Sequence, residues 1–177
     1  MKSLHEVNPE RLKWVQRSNR EDELVSGDDA VAALHWAKNW GSLAVAESDD
    51  GKWTFKRVGF IHTKITIRKF GEDLDFYIAD VGVSGETTLM LPGQGAFRWT
   101  PNIWRGTWTL RNNDGHEVMS IQLSGVAKVI GNLTIKDSTV PVSTLSLLAL
   151  LGWYLIMNVL TDDVTASTTA VIVATMP

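Results

Sequence analysis

Along the middle of the chain, apolar and polar residues alternate with a period of two. Ile61, Thr63, Ile65 and Ile67 fall on one face, and His62, Lys64, Thr66 and Arg68 on the other. Trp104, Gly106, Trp108 and Leu110 are set in the same way against Arg105, Thr107, Thr109 and Arg111. Met119, Ile121 and Leu123 repeat the pattern, as do Ala127, Val129, Leu133 and Ile135 against Lys128, Asn132 and Thr134. Segments with one apolar and one wet face belong to an antiparallel sheet or barrel. The punctuation agrees: Asp50-Gly51 and Asp114-Gly115 read as hairpin turns that need positive φ. Gly71-Glu72-Asp73, Ser84-Gly85, Gly93-Gln94-Gly95 and Pro101-Asn102 are further breaks.

The alternation gives way near the end to STLSLLALLGWYLIMNVL, from Ser143 to Leu160. Its few small or polar residues (Ser146, Gly152, Tyr154, Asn158) do not gather on one helical face, so the helix is apolar all round and needs enclosure by protein or by lipid. Read as a membrane span, Val140–Leu160 has about the required length. It contains Pro141, however, and its flanks, Lys136-Asp137 and Asp162-Asp163, give no positive-inside signal. A closed sheet of about ten strands has an interior wide enough to need a filler, and an apolar helix supplies one. The sequence therefore predicts a mainly β protein, a closed antiparallel barrel around a central helix at about 143–160. The span is the alternative.

The two ends are read more coarsely. Residues 1–29 are expected to be a polar lead-in, with Asn8-Pro9-Glu10 starting a short helix. The barrel domain then occupies 30–177. Asp28–Trp40 reads as a helix running into a strand. After the central helix, the β-branched run at Ala170–Ala174 is expected to be a last strand that closes the sheet.

Composition narrows the function classes. The 177 residues suit one domain, and a net charge of −3 argues against a nucleic-acid binder. The absence of cysteine removes disulfides, thiolate nucleophiles and thiolate metal sites, and fits a reducing compartment. MKSLHEVNPERLKW lacks the apolar stretch of a secretory signal, so a cytoplasmic place, free or at the membrane periphery, is expected. The eight tryptophans fit a bulky core, a binding groove or a membrane interface equally well.

No catalytic, metal or cofactor pattern emerges. The histidines at 5, 35, 62 and 116 are scattered, no G-x-S-x-G elbow exists, and Gly93-Gln94-Gly95 leads into no helix. Asn132-Leu133-Thr134 matches a glycosylation sequon that has no secretion signal to make it useful. One basic set remains. Lys64, Arg68, Arg105, Arg111 and Lys128 fall on the outward positions of their strands, with Lys56, Arg57 and Arg98 near. On a barrel they would either merge into a patch for phosphates or simply form a solvated wall that blunts strand edges.

The order of elements resembles the tubby C-terminal-like superfamily, and most of all the bacterial LURP-one-related and phospholipid scramblase-like proteins. The carrying residues are Gly51-Lys52-Trp53-Thr54-Phe55-Lys56-Arg57-Val58-Gly59-Phe60, Trp108-Thr109-Leu110 before Asp114-Gly115, and Leu147-Leu148-Ala149-Leu150-Leu151-Gly152-Trp153-Tyr154-Leu155. The resemblance covers roughly residues 36–175 and lies in the sequence of elements, not in one motif. It implies a 12-stranded barrel around a central helix and association with lipid or a membrane surface. Unlike scramblases, the chain has no cysteine cluster and no calcium-binding acidic loop. The expectation is thus a non-enzymatic binding or scaffold module, with an anionic membrane surface or a protein as partner.

Overall fold

In a computed structural model the chain is described over residues 1–38, 41–59, 61–125 and 129–174, with side chains as far as position 162. Twelve strands follow one another: β1 (Leu12–Ser18), β2 (Glu21–Ser26), β3 (Asp29–Trp36), β4 (Ala44–Ser48), β5 (Gly51–Val58), β6 (Lys64–Lys69), β7 (Tyr77–Val81), β8 (Thr87–Leu91), β9 (Gly95–Asn102), β10 (Thr107–Arg111), β11 (Glu117–Ser124) and β12 (Ile130–Ile135). Each pairs antiparallel with its neighbours in sequence, and β1 pairs with β12 to close the barrel. One helix, α1 (Val142–Ala174), then enters it. The turns that join odd to even strands therefore lie on one rim, and those that join even to odd strands on the other.

Three sequence expectations are corrected here. Residues 1–29 are not a lead-in, because Leu12–Ser18 and Glu21–Ser26 are barrel strands. Asn8 does cap a single 3-10 turn at Pro9–Arg11, accepting from the Glu10 N–H at 2.9 Å. The described part of Asp28–Trp40, as far as Lys38, contains a strand and no helix, and Val31 to Leu34 are all buried between the walls of β2 and β4 and the core. Ala170–Ala174 is not a closing strand: α1 runs through it, and β1 has already taken the free edge of β12. β-branched composition is a weak guide where no strand edge is left to pair with.

The enclosure of α1 follows from its residues. Of an 18-residue window apolar enough to cross a membrane, 83% is buried inside the barrel. Leu148, Ala149, Leu150, Leu151, Trp153, Tyr154 and Ile156 have no accessible surface. The few polar or small positions each have a task. Ser146 donates to Asp50 at 2.6 Å, tying the helix to the β4–β5 turn. Tyr154 donates to the Ser42 carbonyl at 2.5 Å, and burial pushes its hydroxyl up to about 12. Asn158 donates to the Tyr154 carbonyl at 2.7 Å, within its own helix. Gly152 is a matter of space, since a Cβ there would stand 2.4 Å from the Trp99 ring. Trp153 lies against Gly131 of β12 and stacks on Trp14 of β1, ring centres 5.3 Å apart. The seam between first and last strands is thereby filled by an aromatic pair anchored on the helix.

Candidate functional site

The expected basic set does not form one patch. Lys64 pairs with Asp80 at 3.5 Å and Arg68 with Asp75 at 2.6 Å, so both are matched by carboxylates of their own neighbourhood. Arg57 does not point outward. It sits at the rim on the inward row after Phe55 and forms a double hydrogen bond with Asp162 of α1, one arm 3.1 Å long. Arg105 lies on a 3-10 turn between β9 and β10, not on a strand. Lys128 lies outside the described residues. β6 is four strand spacings from β10, roughly 19 Å around the wall. Lys56 stands on β5, farther still.

What the fold does bring together is Arg111 and Arg98. They are register partners on β10 and β9, both exposed on the outer face. Neither forms an ion pair among the described residues. Glu117, opposite Arg111 on the next strand, is engaged by Lys136 at 2.9 Å. Like charges at directly opposite positions repel, and among the described residues no ion pair offsets this. Thr88 continues the row on β8. A groove of about 400 Å³ runs from Arg111 past Thr100 and Thr109 to Asn102, Ile103 and Trp104. A second hollow of about 280 Å³ on the other side is lined by Arg98, Arg111, Asn112 and Asn113 together with the carboxylate of Glu86. The chemistry on offer is two exposed positive forks with hydroxyl and amide groups around them and one carboxylate, Glu86, in the second hollow. It suits a phosphate or carboxylate and activates nothing, because a guanidinium keeps its protons.

Two other places were candidates on chemical grounds. A pocket of about 530 Å³ at the rim where α1 enters is lined by Lys52, Lys69, Phe70, Phe76 and Tyr77. Its lysines are already occupied: Lys52 meets Glu47 at 2.8 Å and lies over Phe70, and Lys69 lies over Phe76. Asp50 and Glu72 line the same pocket and cancel its charge.

The other place is Asp22, a carboxyl without accessible surface inside the barrel. Trp36 Nε1 donates to it at 2.9 Å, while its Oδ1 and the indole nitrogens of Trp14 and Trp153 have no hydrogen-bond partner. Burial pushes the carboxyl up to about 6, opposed by the N–H groups of Trp36 and Trp153. Trp153 is near enough to favour the charge but is not aligned for a hydrogen bond. A raised pKa means that the folded state holds this proton more tightly than the unfolded chain. Stability from this group is therefore full below about pH 4 and lost as pH rises through about 6, to the extent of roughly 3 kcal/mol. Denaturant midpoints of wild type and Asp22→Asn at pH 5 and pH 7.5 check this. The asparagine variant should lack the decline, and parallel curves would place the titration elsewhere.

Set beside known proteins, this barrel with its helical core and arginine row has no match among family models, curated proteins or solved structures.

The sequence reading named Arg111 and noted Arg98, but missed their pairing, which depends on register between two strands. It also placed Trp104 and Ile61 on the buried face. Both are exposed, in turns that precede β10 and β6. The usable signal was Pro101-Asn102 together with Gly106, which interrupt the parity counted back from Trp108.

Proposed function

We propose that the protein is a non-enzymatic binding module that takes a phosphate-type anion on its outer wall at Arg98 and Arg111. One observation carries the reading: two exposed arginines are register partners on adjacent strands, and no carboxylate among the described residues is paired to either. An anion between them relieves the repulsion and accepts from both forks. Kinship with the tubby and LURP-one-like barrels is part of the proposal. The twelve-strand barrel around a core helix supports it, because that is the architecture the resemblance implies. A cytoplasmic protein at the membrane periphery fits such a ligand. The burial of Leu145–Ile156 within the barrel favours this reading over a membrane anchor made of Val140–Leu160.

The phosphate has two sources, a lipid headgroup and a soluble phosphate ester, and the test separates them. Co-sedimentation with vesicles containing phosphatidylserine or a phosphoinositide is compared with calorimetric titration of inorganic phosphate and an inositol phosphate. Arg98→Glu/Arg111→Glu should weaken binding by about thirtyfold or more, each basic contact contributing about 1 kcal/mol. Wild-type binding should fall steeply with salt, since exposed charges are screened over roughly 8–10 Å. Binding that is equal in both proteins, or absent for every anion at low salt, overturns the proposal.

A further inference from the structure

The apolar side chains most exposed to solvent concentrate on one rim. Ile61 in the β5–β6 turn is 84% exposed, Val83 in the β7–β8 turn fully so, and Ile103 and Trp104 between β9 and β10 are 68% and 99% exposed. These three turns all join an odd to an even strand, so they stand side by side on the same edge of the barrel. On the opposite rim, Phe70 and Phe76 are capped by lysines, and the bare residues among those described are Leu74 and, less so, Met90 near the end of β8.

Trp104 is not exposed by looseness. Asn102 accepts from the Arg105 N–H at 3.2 Å, and Gly106 takes a left-handed φ of 58° that returns its N–H to the Ile103 carbonyl at 3.1 Å. Gln122 of β11 donates to the Arg105 carbonyl at 2.8 Å, and the Leu123 N–H donates to that of Gly106 at 2.8 Å. A turn tied at four points holds out a side chain that packs on nothing. Folding gains nothing from it, whereas a partner outside would.

The helix indicates which partner. α1 is tied to Asp50 on the far rim through Ser146, and to Arg57 on this rim through Asp162. Its backbone stays helical over positions 163–174, about 18 Å beyond that tie. From Val164 to Pro177 the sequence carries no charged residue. An uncharged helix thus continues past the rim on which the apolar turn tips stand. Separate tips around such a helix suit a soft, water-free medium better than the flat continuous patch of a protein interface. Tryptophan is favoured at the lipid headgroup level, and Arg105 beside it, its side chain unpaired among the described residues, can reach phosphates while its stem lies among acyl chains. We infer that this rim docks into the interface of a lipid bilayer, with Ile61, Val83, Ile103 and Trp104 entering it. The inference stands on other residues than the arginine pair and does not require that site.

The chain has no cysteine, so single labels are easily placed. Val83→Cys and, on the opposite rim, Leu74→Cys would each carry a polarity-sensitive fluorophore and be mixed with phosphatidylcholine vesicles. The Val83 label should shift to the blue and be quenched by lipid-borne quenchers, and the Leu74 label should not. Ile103→Ser/Trp104→Ser should keep the wild-type melting temperature and lose about tenfold or more in vesicle partitioning, because two large apolar groups no longer leave water. Arg98→Glu/Arg111→Glu should bind these neutral vesicles like wild type. Equal responses from the two labels, or wild-type partitioning by the serine pair, overturn the inference. So does a vesicle-free dimer that the serine pair abolishes, which would make a second copy the occupant. Binding confined to anionic vesicles, lost in the glutamate pair and untouched by the serine pair, refutes the rim and leaves the arginine site standing.

Discussion

Arginine in place of Leu148 or Leu151 should leave no soluble, cooperatively melting protein. Both leucines have no accessible surface and lie one turn apart on the same side of α1, against the barrel wall. Removing the leucine forfeits roughly 1.5–3 kcal/mol of burial. A buried guanidinium in its place costs several kcal/mol more in desolvation. Together these approach the whole stability of an ordinary domain, about 5–15 kcal/mol. The same charge at Thr161, exposed at the rim, should be tolerated. Soluble yield, size-exclusion profile and melting curves of the three variants decide the matter. A soluble Leu151→Arg with an unchanged melting temperature would mean that the helix is not enclosed.

That enclosure was legible in the sequence for a physical reason. A helix with no polar face can be stable only where every side meets apolar surroundings, and alternating strands supply such a wall. Strand parity was equally plain in β10 and β11, where Trp108, Leu110, Met119 and Ile121 all point inward as the alternation predicts. It failed where local geometry broke the count. Gly106, in a left-handed conformation, reset the parity before β10, so Trp104 left the core and reached the rim. The strands β1 and β2 were hidden because Val15 interrupts the outward row of β1, and because Asp22 stands on an inward position of β2 where an apolar residue would have marked the pattern. The Arg98–Arg111 pair was out of reach for another reason: which residues of two strands face each other depends on register across the sheet, and a list of outward cations does not contain it.

The fit between helix and wall is sharpest at Gly152, and there the expected sign of a substitution opposes helix propensity. In an isolated helix, glycine to alanine stabilises by about 1 kcal/mol. Here the added Cβ would stand 2.4, 2.7 and 3.0 Å from atoms of the Trp99 indole. That ring cannot swing away freely, because it is fully buried on β9 and its Nε1 donates to the Leu148 carbonyl at 3.2 Å. Either the indole moves and leaves a buried N–H unpaired, at about 1–3 kcal/mol, or the helix shifts and opens the packing elsewhere. Gly152→Ala should therefore destabilise despite its better propensity, and Gly152→Val more, by roughly 3–5 kcal/mol, through overpacking added to the lost hydrogen bond. Trp99→Phe makes the decisive control. It removes the atoms that clash, so Gly152→Ala should cost much less in that background, with a coupling of about 2 kcal/mol in a double-mutant cycle of denaturant midpoints. If Gly152→Ala raises stability in the wild type, or costs the same with phenylalanine at 99, the indole does not lie against the helix and the barrel is not packed around it in this register.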